Sequence, residues 1–181
     1  MYLAICTQIQ VANRADDLFS IVLDGTECSI NRPDARIQRI FYTGKSKQHC
    51  IKYEVGVHPH TGHLVWVGGP VPGSVHDLTL TRMAGLLHEI RDDEFILADK
   101  GYIGEFKIIT PFRGRYLMEV QRVINYWLGS VRWLVEHVLL RIKTFRCANE
   151  KWRHWRNLHG IVFFVTCEIV NIDMYFRPAR H

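Results

Sequence analysis

Three acidic residues, each in a short signature of its own, carry the chemistry that this sequence suggests. Asp24 closes an apolar run and opens an Asp-Gly-Thr sequence, whereas Asp99 closes a second apolar run and opens an Asp-Lys-Gly-Tyr sequence. Glu136 lies inside a long helical pattern. Carboxylates at the ends of two strands and on one helix suit Mg²⁺ or Mn²⁺, because these hard cations prefer oxygen ligands. Two such ions about 4 Å apart can stabilise the attacking and leaving oxygens of a phosphodiester displacement. The three residues therefore predict a metal-dependent nuclease or polynucleotidyl transferase.

Hydropathy patterning indicates the elements that must position these carboxylates. Short apolar runs bounded by turn residues predict strands, and apolar residues spaced by three and four predict helices. In chain order we predict strands at 19–23, 48–57 and 64–67, a helix from Ser74 or Asp77 to about 89, a strand at 95–98, a long helix at 117–145 and a final helix at 157–174. One carboxylate follows the first strand, one follows the fourth and one lies on the next helix. This order predicts an α/β fold, an RNase H-like mixed sheet with flanking helices.

Each acidic residue also has an ordinary structural explanation when it is taken alone. Asp-Gly is a common turn sequence, and a turn would account for Asp24. Asp99 has the same alternative in its Asp-Lys-Gly sequence. Glu136 lies four residues after Arg132, which is the spacing of a solvated ion pair on a helix. The apolar stripe of this helix lies on another face (Val131, Val135, Val138 and Ile142). The functional interpretation depends on the three acidic residues occurring together.

The basic residues are unevenly distributed along the chain. The 181 residues include 23 Lys and Arg against 18 Asp and Glu, a net charge of +5. Between Arg141 and Arg156 six basic residues accompany a single acid, Glu150, so this stretch alone carries as much charge as the whole chain. Such an excess suits a polyanionic partner.

Cysteine usage and hydropathy indicate the compartment. The five cysteines lie far apart without a Cys-x-x-Cys pair, so we expect reduced thiols in an intracellular protein. The first residues lack the charged and apolar regions of a secretion signal. The longest late apolar run, 160–167, is shorter than the ~18 residues that span a membrane, so we expect no membrane partner.

Several blocks of sequence, in order, resemble one known family. The blocks are Asp-Gly-Thr-Glu at 24–27, Arg-Pro at 32–33, Tyr-Thr-Gly-Lys at 42–45, Pro-Gly-Ser-Val-His-Asp at 72–77, Leu-Ala-Asp-Lys-Gly-Tyr at 97–102, Thr-Pro at 110–111, and a helical block with Asn125, Tyr126, Arg132, Val135, Glu136, Lys143, Phe145 and Arg146. They are similar to the DDE superfamily endonucleases, especially Harbinger-type transposases and their bacterial insertion-sequence relatives. The resemblance extends from about Leu23 to Pro178.

The resemblance implies a site and a partner. Asp24, Asp99 and Glu136 would hold divalent cations, two Mg²⁺ or Mn²⁺, that activate water or a DNA 3′-hydroxyl for in-line attack on a phosphodiester. His76 and Asp77 resemble a family turn beside this site, where they would support the metal ligands. DNA is the implied partner, and the predicted DNA-binding residues are Lys143, Arg146, Lys151, Arg153 and Arg156.

Two other functions remain open, together with the organisation of the protein. The chain could be an inactive transposase remnant that binds DNA or protein through its basic stretch, or an RNase H-like nuclease that acts on RNA or on hybrids. We expect one catalytic domain over 1–181, because the 23 residues before Asp24 are too few for the helix-turn-helix that family members carry. The chain could then be a truncated copy, could begin at a misplaced start, or could rely on a separate DNA-binding partner protein for sequence recognition. A homo-oligomer is a further expectation. The resemblance to eukaryotic elements favours the nucleus, with the cytoplasm as the alternative in a bacterium.

Overall fold

A computed structural model describes residues 19–178, which form one mixed sheet with helices on both faces. The strands are β1 (Phe19–Ser29), β2 (Tyr42–Thr43), β3 (Gln48–Val57), β4 (Leu64–Pro72), β5 (Phe95–Ala98) and β6 (Ile108–Ile109). The helices are α1 (Gln38–Phe41), α2 (Asp77–Ala84), α3 (Leu86–Glu89), α4 (Glu119–Lys143), α5 (Arg146–Asn149) and α6 (Arg156–Phe176), with a 3₁₀ turn at Lys100–Tyr102.

Strand β1 lies between an antiparallel half and a parallel half of the sheet. On one side it pairs antiparallel with β3, whose other edge pairs with β2 and β4. On the other side it pairs parallel with β5, which pairs parallel with β6. This topology confirms the predicted RNase H-like α/β fold, and it brings the middle of β1, just after Leu23, beside the carboxyl end of β5.

Two apolar clusters lie on opposite faces of the sheet, because successive residues of a strand point to opposite faces. Val22 of β1 belongs to the cluster covered by α4 and α6, with Val135, Val138, Ile142 and Phe163 among its members. Leu23 belongs to the cluster covered by α3 and the 3₁₀ turn, with Trp66, Leu86 and Tyr102. Asp24 follows in the same alternation and therefore lies on the α4 side.

The structure differs from the predicted elements at several places, among them β4, which extends to Pro72 instead of ending at 67, and the short helices α1 and α5, which were not predicted. β1 does not end at Asp24, because its pairing with β3 continues to Ser29 opposite Cys50. The helix predicted through 89 is divided at Gly85, which has φ +88°, into α2 and α3. The N-cap of α2 is His76, which makes no side-chain cap, and Ser74 lies before the helix. The two-residue strands β2 and β6 were missed, since they are too short for an alternating pattern.

Helix α6, at Arg156–Phe176, is longer than the apolar run at 160–167. With 21 residues it is long and apolar enough to cross a membrane by length and composition alone, which is weak evidence for a span, and half of its most apolar window is buried in the fold. The expectation of no membrane partner therefore stays a prediction. The cysteines Cys28, Cys50, Cys147 and Cys167 are free thiols, as expected, while Cys6 and the first 18 residues lie outside the described part. The expectations for the secretion signal and for the helix-turn-helix fall on that segment.

Candidate active site

The parallel pairing of β1 and β5 places Asp24 and Asp99 next to each other. Leu23 is the register partner of Ala98, and the two aspartates are the next residues along each chain. β5 ends at Ala98, whereas β1 continues. The two carboxylates therefore lie where the parallel pairing stops.

Backbone N–H groups hold one oxygen of each carboxylate. The N–H of Gly25 donates to Oδ1 of Asp24 at 2.8 Å, and the N–H of Gly101 donates to Oδ1 of Asp99 at 2.7 Å. Each aspartate thus keeps its second oxygen for another partner, and the 3₁₀ turn after β5 begins with Asp99 as its N-cap. Only the Asp-Lys-Gly sequence forms a turn, whereas Asp24 and Gly25 lie inside β1. In both places the glycine N–H orients the carboxylate.

The surroundings of Asp24 favour a cation. Burial raises the pKa of this carboxyl group above its usual value, and the nearby charge of Asp99 raises it further. The hydrogen bond from Gly25 and the charges of Arg132 and Lys45 lower the pKa, but they do not offset the rise. A carboxylate that is desolvated and beside a like charge is stabilised in its ionised form by any cation that approaches both groups.

Asp77 also reaches this cluster. A β-carbon on Gly101 would lie 3.0 Å from Oδ2 of Asp77 and 3.0 Å from Oδ1 of Asp99, so the two carboxyl groups border the same small space. This close approach explains why residue 101 is a glycine. The side chain of the neighbouring His76 is exposed, and its carbonyl accepts the N–H of Leu80.

Glu136 lies on α4, and its carboxylate is paired with an arginine side chain of the same helix. Arg132, one helical turn earlier, forms an ion pair with it at 3.3 Å, and both side chains are about half exposed. The charge of Arg132 also lowers the pKa of Asp24, so this arginine acts on both carboxylates. Within residues 19–178 no three His, Cys, Asp or Glu side chains converge closely enough to hold a metal ion. The assignment of Glu136 as the third ligand therefore stays a prediction.

A buried hydroxyl group points to a further partner at the cluster. The Tyr102 side chain is 1% exposed, and among the described residues its hydroxyl has no hydrogen-bond partner. Its oxygen would lie 3.3 Å from a β-carbon on Gly25, and Oδ1 of Asp77 would lie 3.6 Å from the same atom. Burial and the surrounding carboxylates raise the pKa of Tyr102, so this hydroxyl keeps its proton. Oxygen donors together with an unused hydroxyl fit a hydrated divalent cation.

Lys52 neutralises part of the cluster from β3. Its ammonium group donates to Oδ1 of Asp77 at 3.2 Å and to the carbonyl of Val75 at 3.0 Å, and lies 3.9 Å from the carboxylate of Glu27. The Lys52 side chain is only 12% exposed. It thus fixes Asp77 beside Asp99 through an internal ion pair.

Glu54 lies behind the cluster and is fully buried. It accepts hydrogen bonds from the indole of Trp66 at 2.9 Å and from the hydroxyl of Thr81 at 2.8 Å. Burial raises the pKa of this carboxyl group to about 7, against both hydrogen bonds.

We expect Glu54→Gln to gain stability over the wild type as the pH rises. Because the folded pKa is about 7 and the usual value is 4.5, the folded protein binds an extra proton between these limits. The stability from protonated Glu54 is complete below 4.5, falls through this window and is lost above pH 7. A glutamine keeps an acceptor for Trp66 without ionising. Urea unfolding at pH 5 and at pH 8 should show the stability difference moving by about 3 kcal/mol in favour of the variant. A pH-independent difference would contradict the raised pKa.

Neither Lys52 nor Glu54 was singled out from the sequence, although a signal was present. The two charged residues are spaced by two on an otherwise apolar strand, so they share one face of β3. Buried charged groups of this kind are normally paired. Tyr102 belongs to the Leu-Ala-Asp-Lys-Gly-Tyr block at 97–102, but only the fold shows that its hydroxyl lies beside the cluster.

The predicted DNA-binding residues lie in different environments. Arg146, Lys151 and Arg153 border one surface groove of about 470 Å³, which we call the basic groove, and Trp152 also contributes to it. Arg146 makes two hydrogen bonds to Glu150, at 2.9 and 3.0 Å.

The two remaining basic residues have partners inside the protein. The ammonium group of Lys143 donates to the carbonyls of Glu27 and Ala148, which ties α4 to β1 and α5. The guanidinium of Arg156 lies 5.0 Å from the centre of the Phe41 ring. A role of the five residues in DNA binding stays a prediction.

A mixed RNase H-like sheet with adjacent aspartates where its parallel pairing stops defines a class of nucleic-acid-processing folds. The family model described as "DDE superfamily endonuclease" matches residues 23–171, so the chain belongs to this superfamily. Its members generally use divalent metal ions. The chain is also 30% identical over 164 residues to a probable transposase for insertion sequence element IS702 from Microchaete diplosiphon, a match that covers 87% of this chain. The match covers 58% of that relative, so the chain spans little more than half its length. No solved structure matches the chain significantly.

Proposed function

We propose that this chain is the catalytic part of a transposase that cuts and joins DNA phosphodiester bonds with two divalent cations. The observation that carries the proposal is the desolvated carboxyl group of Asp24 beside Asp99, on the side of the sheet that faces the helix of Glu136. The transposase relative supports DNA as the substrate.

The proposal assigns separate tasks to the residues of the cluster. Asp24 and Asp99 would hold the cations, and Glu136 would join them after exchanging its ion pair with Arg132. Bound Mg²⁺ or Mn²⁺ would activate the attacking oxygen and stabilise the leaving one. Asp77, held by Lys52, and the Tyr102 hydroxyl orient water and carboxylate oxygens around that position.

Titration with Mn²⁺ by calorimetry tests the site directly. We expect the wild type to bind Mn²⁺, and Asp24→Asn to lose this binding because a neutral amide cannot balance the cation. Asp92→Asn is the matched control, since its side chain is fully exposed and it pairs with Lys107 outside the cluster. Equal Mn²⁺ binding by wild type and Asp24→Asn would refute the site. If the wild type alone binds no metal, the titration is repeated with a short DNA duplex, because phosphate oxygens complete such sites.

The basic groove gives a second prediction, on DNA binding. We expect Arg146→Ala and Arg153→Ala each to reduce the slope of log affinity against log salt concentration by about one. With one phosphate contact fewer, DNA releases about one counterion fewer when the protein binds. Arg91→Ala, before β5 at the other end of the parallel strands, is the control. Binding to a duplex of mixed sequence at several salt concentrations gives the slopes. An unchanged slope in both groove variants would return these arginines to the solvated surface.

The binding-remnant alternative makes a different prediction with the same protein. An inactive remnant should bind DNA through the basic groove, but it should not bind Mn²⁺ at Asp24 even when DNA is present. If the protein is instead an RNase H-like nuclease that acts on RNA or on hybrids, it should cleave an RNA–DNA hybrid in preference to a DNA duplex. Location in the nucleus or cytoplasm is a further proposal, which fractionation of host cells would test.

A further inference from the structure

The outer face of α6 carries a continuous apolar stripe. Six large side chains on this face are between 46% and 74% exposed: Leu158, Ile161, Val165, Ile169, Ile172 and Phe176. At 100° per residue, all six point within about 40° of the direction of Val165. The stripe extends along roughly 27 Å of the helix, from its first turn to its last.

This face differs from a normal solvated helix face. Solvated faces are rich in charged residues, whereas the charged Glu168 lies at the edge of the stripe, about 60° from its centre. The opposite face of α6 is already committed to the core through Phe163, Cys167 and Val170. Helix α6 is therefore apolar on two sides, and only one of them is covered by the fold.

The size of the stripe matches a protein interface. Together with the exposed Tyr175 at its edge, the stripe presents roughly 700 Å² of accessible surface, above the few hundred Å² usual for one apolar patch on a monomer. A stable pair of proteins typically buries about 800 Å² on each partner.

We infer that the apolar stripe of α6 binds the same stripe of a second copy of this chain. Leu158, Val165 and Ile172 repeat every seven residues, which is the spacing at which two helices keep one seam in contact. A two-fold axis brings identical surfaces together, and a stripe without internal charge is complementary to itself. The stripe has no charged or polar groups to select a polar partner.

Sedimentation equilibrium of the 181-residue chain tests this interface. We expect a wild-type dimer and a monomeric Val165→Lys variant, with the dissociation constant raised at least tenfold because each copy would bury a lysine in the seam. Met83→Lys is the matched control, because Met83 is 49% exposed on α2, across the sheet from α6, and should leave the dimer intact. Ile172→Lys tests the same stripe independently should Val165→Lys fold poorly.

Three outcomes of the sedimentation experiment would overturn the inference. They are a wild type that is monomeric up to about 100 µM, a dimer that survives both stripe variants, and a dimer that Met83→Lys disrupts equally. Flotation with phosphatidylcholine vesicles separates a lipid partner: wild-type binding that Val165→Lys abolishes would assign the stripe to a membrane surface instead. Equal thermal unfolding of all four proteins shows that folding is preserved.

Discussion

Asp99→Asn is expected to lower metal-dependent DNA cleavage by about 10³-fold without changing the thermal unfolding of the protein. The amide keeps an acceptor for the N–H of Gly101, so the local turn should persist. It removes the charge that a divalent cation needs, and such cations contribute several kcal/mol of charge stabilisation to the transition state. Nicking of supercoiled plasmid in Mn²⁺ measures the effect without knowledge of the recognised sequence.

Two further variants make this experiment specific. Asp92→Asn carries the same substitution on the fully exposed side chain and should cleave like the wild type. Glu136→Gln should lose activity as strongly as Asp99→Asn if Glu136 exchanges Arg132 for metal. Full activity of Glu136→Gln with an inactive Asp99→Asn would keep the aspartate pair and remove the third ligand. Full activity of Asp99→Asn would remove the proposed site altogether.

Lys52→Met is expected to destabilise the protein by about 3 kcal/mol at neutral pH, because removing one partner of a buried ion pair leaves the other charge unpaired. The substitution leaves Asp77 and Glu27 without their cation, next to the carboxylate of Asp99. Urea unfolding at pH 7 measures the change. The double variant Lys52→Met with Asp77→Asn should recover part of the loss, since it removes one of the unpaired charges.

The control for Lys52 is an exposed ion pair of the same chain. Arg36→Met breaks a contact with Asp34 in which the side chains are 90% and 62% exposed, and such pairs contribute about 1 kcal/mol or less. A similar small loss for Lys52→Met would show that the internal ion pair contributes no more than a surface pair. In that case Lys52 would not hold Asp77 in place.

The sequence by itself determined the elements that carry the predicted triad. Local apolar patterns are sufficient for β5, for the hairpin of β3 and β4 and for α4, because burial of one face imposes a period of two on a strand and of 3.6 on a helix. The quoted motifs were equally sufficient for the superfamily, which the family match confirms. The end of β1 was misplaced because Asp-Gly is usually a turn, whereas here pairing with β3 satisfies the backbone as far as Ser29.

Only the tertiary structure decided which side chains meet. The strand register brings Asp24 beside Asp99, and the close approach at Gly101 brings in Asp77, while neither distance follows from local patterns. The raised pKa of Glu54 likewise depends on burial by elements distant in the chain. Helix α6 shows the same limit most simply. Its sequence is apolar on both sides, so the pattern predicts a helix but not its buried face, which is decided by packing on the sheet and α4.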